Sequence, residues 1–258
     1  MDESPVGRIG SMIRTGIGGW VFPPWRGGAF YPAGLTQKRE LEFASRALRA
    51  IEINSTFHSL QKRDTFRRWR TEVPDGFVFA VKGSRFITNR KDLATAQDAF
   101  GKFWAQGLDE LGDALGPILW QLAATKRFVA GEVAAFLDLL PRELNGLPLR
   151  HAIEASHVSF ACREFADIAR DRKIAIAYVE ADDVIPTGER TADFAYLRCK
   201  RMTADCPTGY PQADLARLAR QCRAWGQQGE VFAFMINGAK VRAPAAALAL
   251  AEKLKEAK

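Results

Sequence analysis

Eight times between Ile13 and Lys255 the chain repeats one pattern. A run of four to seven mostly apolar residues ends in a polar or charged residue and gives way to a helix-like segment. Ala50–Phe57, AIEINSTF, is the clearest instance. Side chains alternate along a strand, so Glu52 and Asn54 share one face while Ile51, Ile53 and Ser55 take the other, and a carboxylate is aimed into the interior. The remaining strands are expected at Ile13–Gly18, Phe77–Lys82, Pro117–Leu122, Leu149–Glu154, Lys173–Val179, Asp193–Lys200 and Glu230–Asn237. Helical periodicity follows Thr36, a plausible N-cap, and recurs over Asp64–Thr71, Thr95–Leu111, Glu132–Leu140, Cys162–Asp171, Ala213–Trp225 and Pro244–Lys255. Strands alternating with helices, with no linker between them, predict the α/β class and a single (β/α)8 TIM-type barrel rather than an open doubly wound sheet. No dinucleotide-binding glycine fingerprint follows the first strand, which argues against the open alternative.

The length agrees: the chain has 258 residues, and barrels of this kind run to about 250. One barrel domain is expected over 13–258, preceded by a flexible extension over 1–12. The formal net charge of +7 favours an anionic partner, a small molecule or an oligomer, with nucleic acid among the candidates. The four cysteines, Cys162, Cys199, Cys206 and Cys222, show no C-x-x-C spacing, so neither a disulfide framework nor a cysteine zinc site is indicated. A reducing, cytoplasmic location fits that usage. The longest apolar run, Ala243–Ala251, contains Pro244 and falls far short of the roughly 20 residues a membrane span needs, so no membrane association is expected.

If each strand's terminal polar residue marks its inward face, then Glu52, Asn54, Lys82, Gln121, Glu154, Arg198 and Asn237 gather at the C-terminal mouth, where active sites of this fold sit. Burying an ion costs several kcal/mol even after relaxation, so fold stability alone gives little reason to collect four charges in one layer. The competing account is a self-satisfied polar plug in which Glu52 pairs with Lys82. As an active site, Glu52 and Glu154 are candidates for a split acid/base pair. Lys82 could polarise a carbonyl or phosphoryl oxygen, or form a Schiff base, and the sequence does not choose. Arg198 suits a bidentate grip on carboxylate or phosphate. Trp20, in the aromatic and glycine-rich loop 19–34, is a candidate substrate contact; the alternative is that its rings plug one end of the barrel. No metal or redox cofactor is expected. With only three histidines, the chain offers one metal arrangement, Glu52, Glu154 and His157, and His157 reads better as a hydrogen-bonding neighbour in the pocket. Arg63, Arg67, Arg68 and Arg70 read as a solvated basic face rather than a nucleic-acid patch.

These stretches together resemble the domain of unknown function 72 family, also called YecE-like. The likeness runs from Arg14 to about Leu248. It rests on TGIGGWVFPPW at 15–25 with Phe30-Tyr31-Pro32, IEINSTF at 51–57, FVFAVKGSRFITNRKDL at 77–93, LGPILWQL at 115–122, the Glu154–His157 segment, Tyr196, Arg198 and Asn237. The resemblance implies a TIM barrel and no particular reaction, because the family is named for having no assigned activity. Departures cluster at the rim. His58 stands where the family usually has Tyr, Ser156 where it has Arg and Phe160 where it has Trp. Ala123-Ala124 replaces two prolines, and Lys200-Arg201 replaces a histidine and glycine. A changed rim over a retained centre suggests an altered ligand or a member that has lost catalysis. The leading expectation is a hydrolase or lyase acting by acid/base chemistry on an anionic, phosphorylated substrate. The alternatives are a nucleic-acid-binding or nucleic-acid-processing protein and a non-catalytic metabolite-binding barrel.

Overall fold

The computed structural model describes residues 13–181 and 189–256; the expected extension over 1–12 lies outside the described residues. The apolar runs form β1 (Ile13–Gly18), β2 (Ala50–Ile53), β3 (Val78–Lys82), β4 (Leu115–Gln121), β5 (His151–Glu154), β7 (Ala195–Cys199) and β8 (Val231–Met235). Between β5 and β7, β6 comes in two pieces, Ala175–Ile176 and Tyr178–Glu180. All neighbours in this sheet are parallel. The spatial order is the first piece of β6, then β5, β4, β3, β2, β1, β8, β7 and the second piece of β6. Both edges of the sheet therefore belong to one strand, parted only by Ala177, whose N–H donates to the Ile153 carbonyl at 2.9 Å. The sheet is thereby a nearly closed α/β TIM-type barrel, its two ends brought together in the two halves of β6.

Around it pack α1 (Glu40–Ala47), α2 (Arg63–Glu72), α3 (Gln97–Trp104), α4 (Ala130–Asp138), α5 (Arg163–Asp171), α6 (Gln212–Gly226) and α7 (Ala243–Lys255). Two expected elements differ. The helix expected over Thr95–Leu111 stops at α3, because Gly107 turns left-handed at φ 96° and the chain resumes as a tighter 3-10 segment, Leu108–Ala114. The strand expected over Ala50–Phe57 ends at Ile53, and Ser55–His58 forms one helical turn. The Thr56 hydroxyl fixes that turn by donating to the Lys82 carbonyl at 2.7 Å.

The barrel interior is filled unevenly. Ala50, Ala80, Ala152, Ala175 and Ala177 line one side, and Phe194 just before β7, Tyr196 on β7, and Phe232 and Phe234 on β8 reach across to meet them. Gly16 on β1 belongs to the same arrangement, since a Cβ there would lie 2.1 Å from the Ala50 carbonyl oxygen. On β8 the inward residues are Phe232 and Phe234, continued by Ile236 just past its end, while Ala233 and Met235 pack outward under the helices. That reverses the expected face: Asn237 lies beyond the strand end and is exposed. Glu230 closes the N-terminal mouth, accepting from Arg14 at 2.8 Å and Arg150 at 2.5 Å. The Arg150 guanidinium also stands 5.1 Å from the Phe232 ring centroid.

Candidate active site at the C-terminal mouth

Register carries the polar residues to one level. Glu52 pairs with Gly18 and Ala80, Gln121 with Glu154, and Arg198 with Phe234, all at or near the C-terminal ends of their strands. Arg198, 2% exposed, donates from Nε and Nη2 to both oxygens of Glu52 at 3.1 and 3.0 Å, and from Nη1 to Glu154. Tyr196 donates to Glu52 Oε2 at 2.7 Å. Glu154 Oε1 accepts from Gln121 at 2.8 Å and from Lys200 Nζ at 2.9 Å. Both carboxylates are fully buried, and every one of their oxygens has a donor.

The electrostatics follow from those partners. Burial alone would raise the Glu154 carboxyl, but the charges of Arg198 and Lys200 outweigh it and hold the group at about 2. Burial likewise opposes the Arg198 charge, and Glu52 and Glu154 raise its affinity for the proton regardless. Burial, with Glu52 beside it, pushes the Tyr196 phenol well above its ordinary value. A carboxylate ionised down to about pH 2 does not donate a proton near neutrality. The geometry is that of two carboxylates gripping cations.

Lys82 stands apart. The expected plug pairs it with Glu52, yet Lys82 makes no ion pair among the described residues, and its Nζ sits 3.9 Å from the Phe57 ring centroid. Burial first, and then the nearby Arg198 charge, push its ammonium down to about 8, against a partial pull from Glu52 and Glu154.

The other predicted residues are more dispersed. Asn54 is half-buried beyond the end of β2 and donates to the Glu52 carbonyl at 3.2 Å. His157 accepts from the Ser159 N–H at 3.1 Å through Nδ1, capping the Val158–Phe160 turn. Trp20 packs edge-on against Trp69 at 5.0 Å, beneath the helices. Its loop behaves as a satellite core: Trp25 and Tyr31 are fully buried beside Phe22, Phe30 and Phe43. Among the described residues no group of three or more His, Cys, Asp or Glu side chains is placed to hold a metal ion. The sequence alone placed Lys200 only at the rim and gave Tyr196 no role in the site. Their signal was spacing, since Tyr196 and Arg198 on β7 and Lys200 just past its end follow one another at every second position.

No helix among the described residues is long and apolar enough to cross a membrane. The chain is 32% identical over 144 residues to UPF0759 protein YecE of Escherichia coli K12, covering 54% of this chain and 49% of YecE. It thus spans about half the length of the curated relatives it matches. In three dimensions it resembles a DUF72 family protein from Thermotoga maritima, with a TM-score of 0.76 and 21% identity over 95% of this chain and 100% of that one. A DUF72 family protein from Enterococcus faecalis gives a TM-score of 0.73 and 16% identity over 96% and 97% of the two chains. Those likenesses establish the fold. A family model described as "Protein of unknown function DUF72" matches residues 14–258, nearly the whole chain, and the chain belongs to that family.

Proposed function

We propose that this protein is an enzyme that takes a small anionic substrate, in the first instance a phosphorylated one, at the C-terminal mouth and moves a proton on it through Lys82. The observation behind this reading is how charge is distributed in the site. Glu52 and Glu154 are committed to Arg198 and Lys200, and Lys82 remains as a half-buried amine with no carboxylate of its own among the described residues. A base works best when its proton affinity lies near the operating pH, and Lys82, at about 8, meets that condition. Arg85, Arg90 and Lys91 follow β3 at the rim and give an anion a favourable approach. Proton transfer by an amine suits a lyase or hydrolase and requires no redox cofactor.

A nucleic-acid partner draws less support. The arginines of α2 are paired with acids: Arg63 with Asp109 and Glu110, Arg67 with Glu110, and Arg70 with Asp113. The test is turnover across a panel of small phosphorylated and carboxylated metabolites. Lys82→Met should lower kcat on any accepted compound by about 10²- to 10⁴-fold while leaving the thermal midpoint no lower. Unchanged turnover in that variant would overturn the assignment, and retention of a metabolite without turnover would favour a binding barrel.

A further inference from the structure

The amine of Lys82 has a chemical use beyond shuttling protons. The described site is electrically closed without it: Glu52 and Glu154 contribute two negative charges, and Arg198 and Lys200 two positive ones. Among the described residues a protonated Lys82 is therefore left without a paired carboxylate, and its Nζ lies 3.9 Å from the Phe57 ring centroid. The groups that act on it are Arg198 and Lys200, which repel its proton, Glu52 and Glu154, which attract it from behind their own partners, and the Phe57 ring. Among the site's described side chains it is the one amine not already bonded to a carboxylate, because Lys200 is tied to Glu154 Oε1 at 2.9 Å.

We infer that Lys82 is a nucleophile that forms an imine with the carbonyl carbon of an anionic oxo compound, a 2-oxo acid or a phosphorylated ketone or aldehyde. This deepens the proposed function and rests on the same site. Nitrogen attacks the carbonyl carbon, a C–N bond forms, and the C=O π pair moves to oxygen. The carbon–oxygen bond then breaks, and that oxygen leaves as water carrying the two protons that nitrogen sheds. Hydrolysis returns the water and frees the amine, so the step needs no oxidant or further co-reactant. Addition to an ester would instead end in a stable amide, which favours aldehydes and ketones as the substrate class. The positive charge of the rim, Arg85, Arg90 and Lys91, favours those carrying a carboxylate or phosphate.

Reduction with borohydride tests this on the intact chain, using pyruvate as a carboxylated ketone, dihydroxyacetone phosphate as a phosphorylated one and acetone as a neutral control. The expected result is one irreversible adduct per chain, mapped by peptide mass to Lys82 and absent from Lys82→Met. Either anionic ketone should trap at least tenfold faster than acetone. Trapping should also rise about 20-fold between pH 6.5 and 8.5 as the amine loses its proton. Adducts spread over surface lysines, or none at pH 8.5 with either anionic ketone, would overturn the inference. Lys82-dependent turnover of a phosphorylated compound lacking a carbonyl, without trapping, would overturn it too and leave the proton-transfer reading standing. Lys82 adducts without any Lys82-dependent turnover would support the imine and remove the proton-transfer reading.

Discussion

Lys82 differs from the other ions of the mouth because its folded surroundings oppose its charge, and that has a measurable consequence for stability. Its proton affinity falls from 10.5 to about 8 on folding, chiefly through burial. Between those two values the unfolded chain binds a proton that the folded chain does not, so this group makes stability rise with pH over about 8 to 10.5. Below pH 8 the folded protein carries the full cost of a poorly partnered ammonium. Lys82→Met, which keeps an apolar stem of similar length against Phe57, should therefore be more stable than the parent at pH 7. The gain should be about 1–2 kcal/mol once partial exposure is allowed for, and should shrink toward zero by pH 10.5. Urea midpoints of the two proteins at pH 7 and 10.5 measure this; a variant less stable at pH 7 would show that Lys82 has an anionic partner. At this scale the sequence was legible in part. A polar residue closing an apolar run located Glu52, Lys82, Gln121, Glu154 and Arg198, because strand ends of a barrel converge whatever the loops do. It did not show that Glu52 bonds Arg198 and Tyr196 rather than Lys82. That choice depends on which strands face each other across a closed cylinder.

Strand β1 shows how an element's inward face is set by what is absent from it. Gly16 and Gly18 both point inward, and the two positions differ in what a methyl group would strike. At Gly16 it would meet the Ala50 carbonyl oxygen at 2.1 Å, which is backbone of the neighbouring strand. At Gly18 it would meet Asn54 Nδ2 at 3.0 Å and Ile236 Cδ1 at 3.1 Å, both ends of side chains. Gly16→Ala should therefore force β1 and β2 apart and cost about 2–4 kcal/mol. Gly18→Ala should cost under about 1.5 kcal/mol, because the neighbours can move. Guanidinium denaturation of the two variants checks the contrast, and equal losses would mean that the register of β1 on β2 is different. Strand positions were readable from alternating or continuous apolar runs, but β8 exposes the limit of that reading. VFAFM is apolar on both faces because a barrel strand is covered on both sides, so its parity carries no signal. Asn237 then marked the wrong face. The break at Gly107 was missed for a related reason: apolar spacing continues across it from Phe103 to Leu111, and only the glycine's left-handed backbone ends the helix.

Over the whole molecule, the barrel carries an ionic cluster at each mouth and a buried imidazole in its wall, and all three respond to acid in the same sense. His151, the first residue of β5, is buried beside Trp104 and Trp120, accepting from the Trp120 indole at 3.2 Å through Nδ1 and donating through Nε2 to the Pro141 carbonyl at 2.7 Å. Burial holds it neutral down to about 4, against an ordinary 6.5. As pH falls through that interval the unfolded chain gains a proton that the folded chain refuses, so stability is lost from 6.5 downward, by up to about 3 kcal/mol. Glu154 continues the trend. Its value drops from 4.5 to about 2 on folding, so its contribution is present above 4.5 and lost as pH falls toward 2. At the N-terminal mouth Glu230 is also lowered, its burial outweighed by bonds from Arg150 and Arg14, and acid weakens that closure too. The urea midpoint should be flat from pH 7.5 to 6.5 as far as these groups are concerned. It should then fall in two stages, the first between 6.5 and 4 and the second below 4.5. His151→Phe fills the same outer-core position without a titrating group, and should remove the first stage while keeping the second. A midpoint that holds constant from pH 6.5 to 4 in the parent would mean that the ring accepts a proton in place, and that the Trp120 contact does not fix its tautomer.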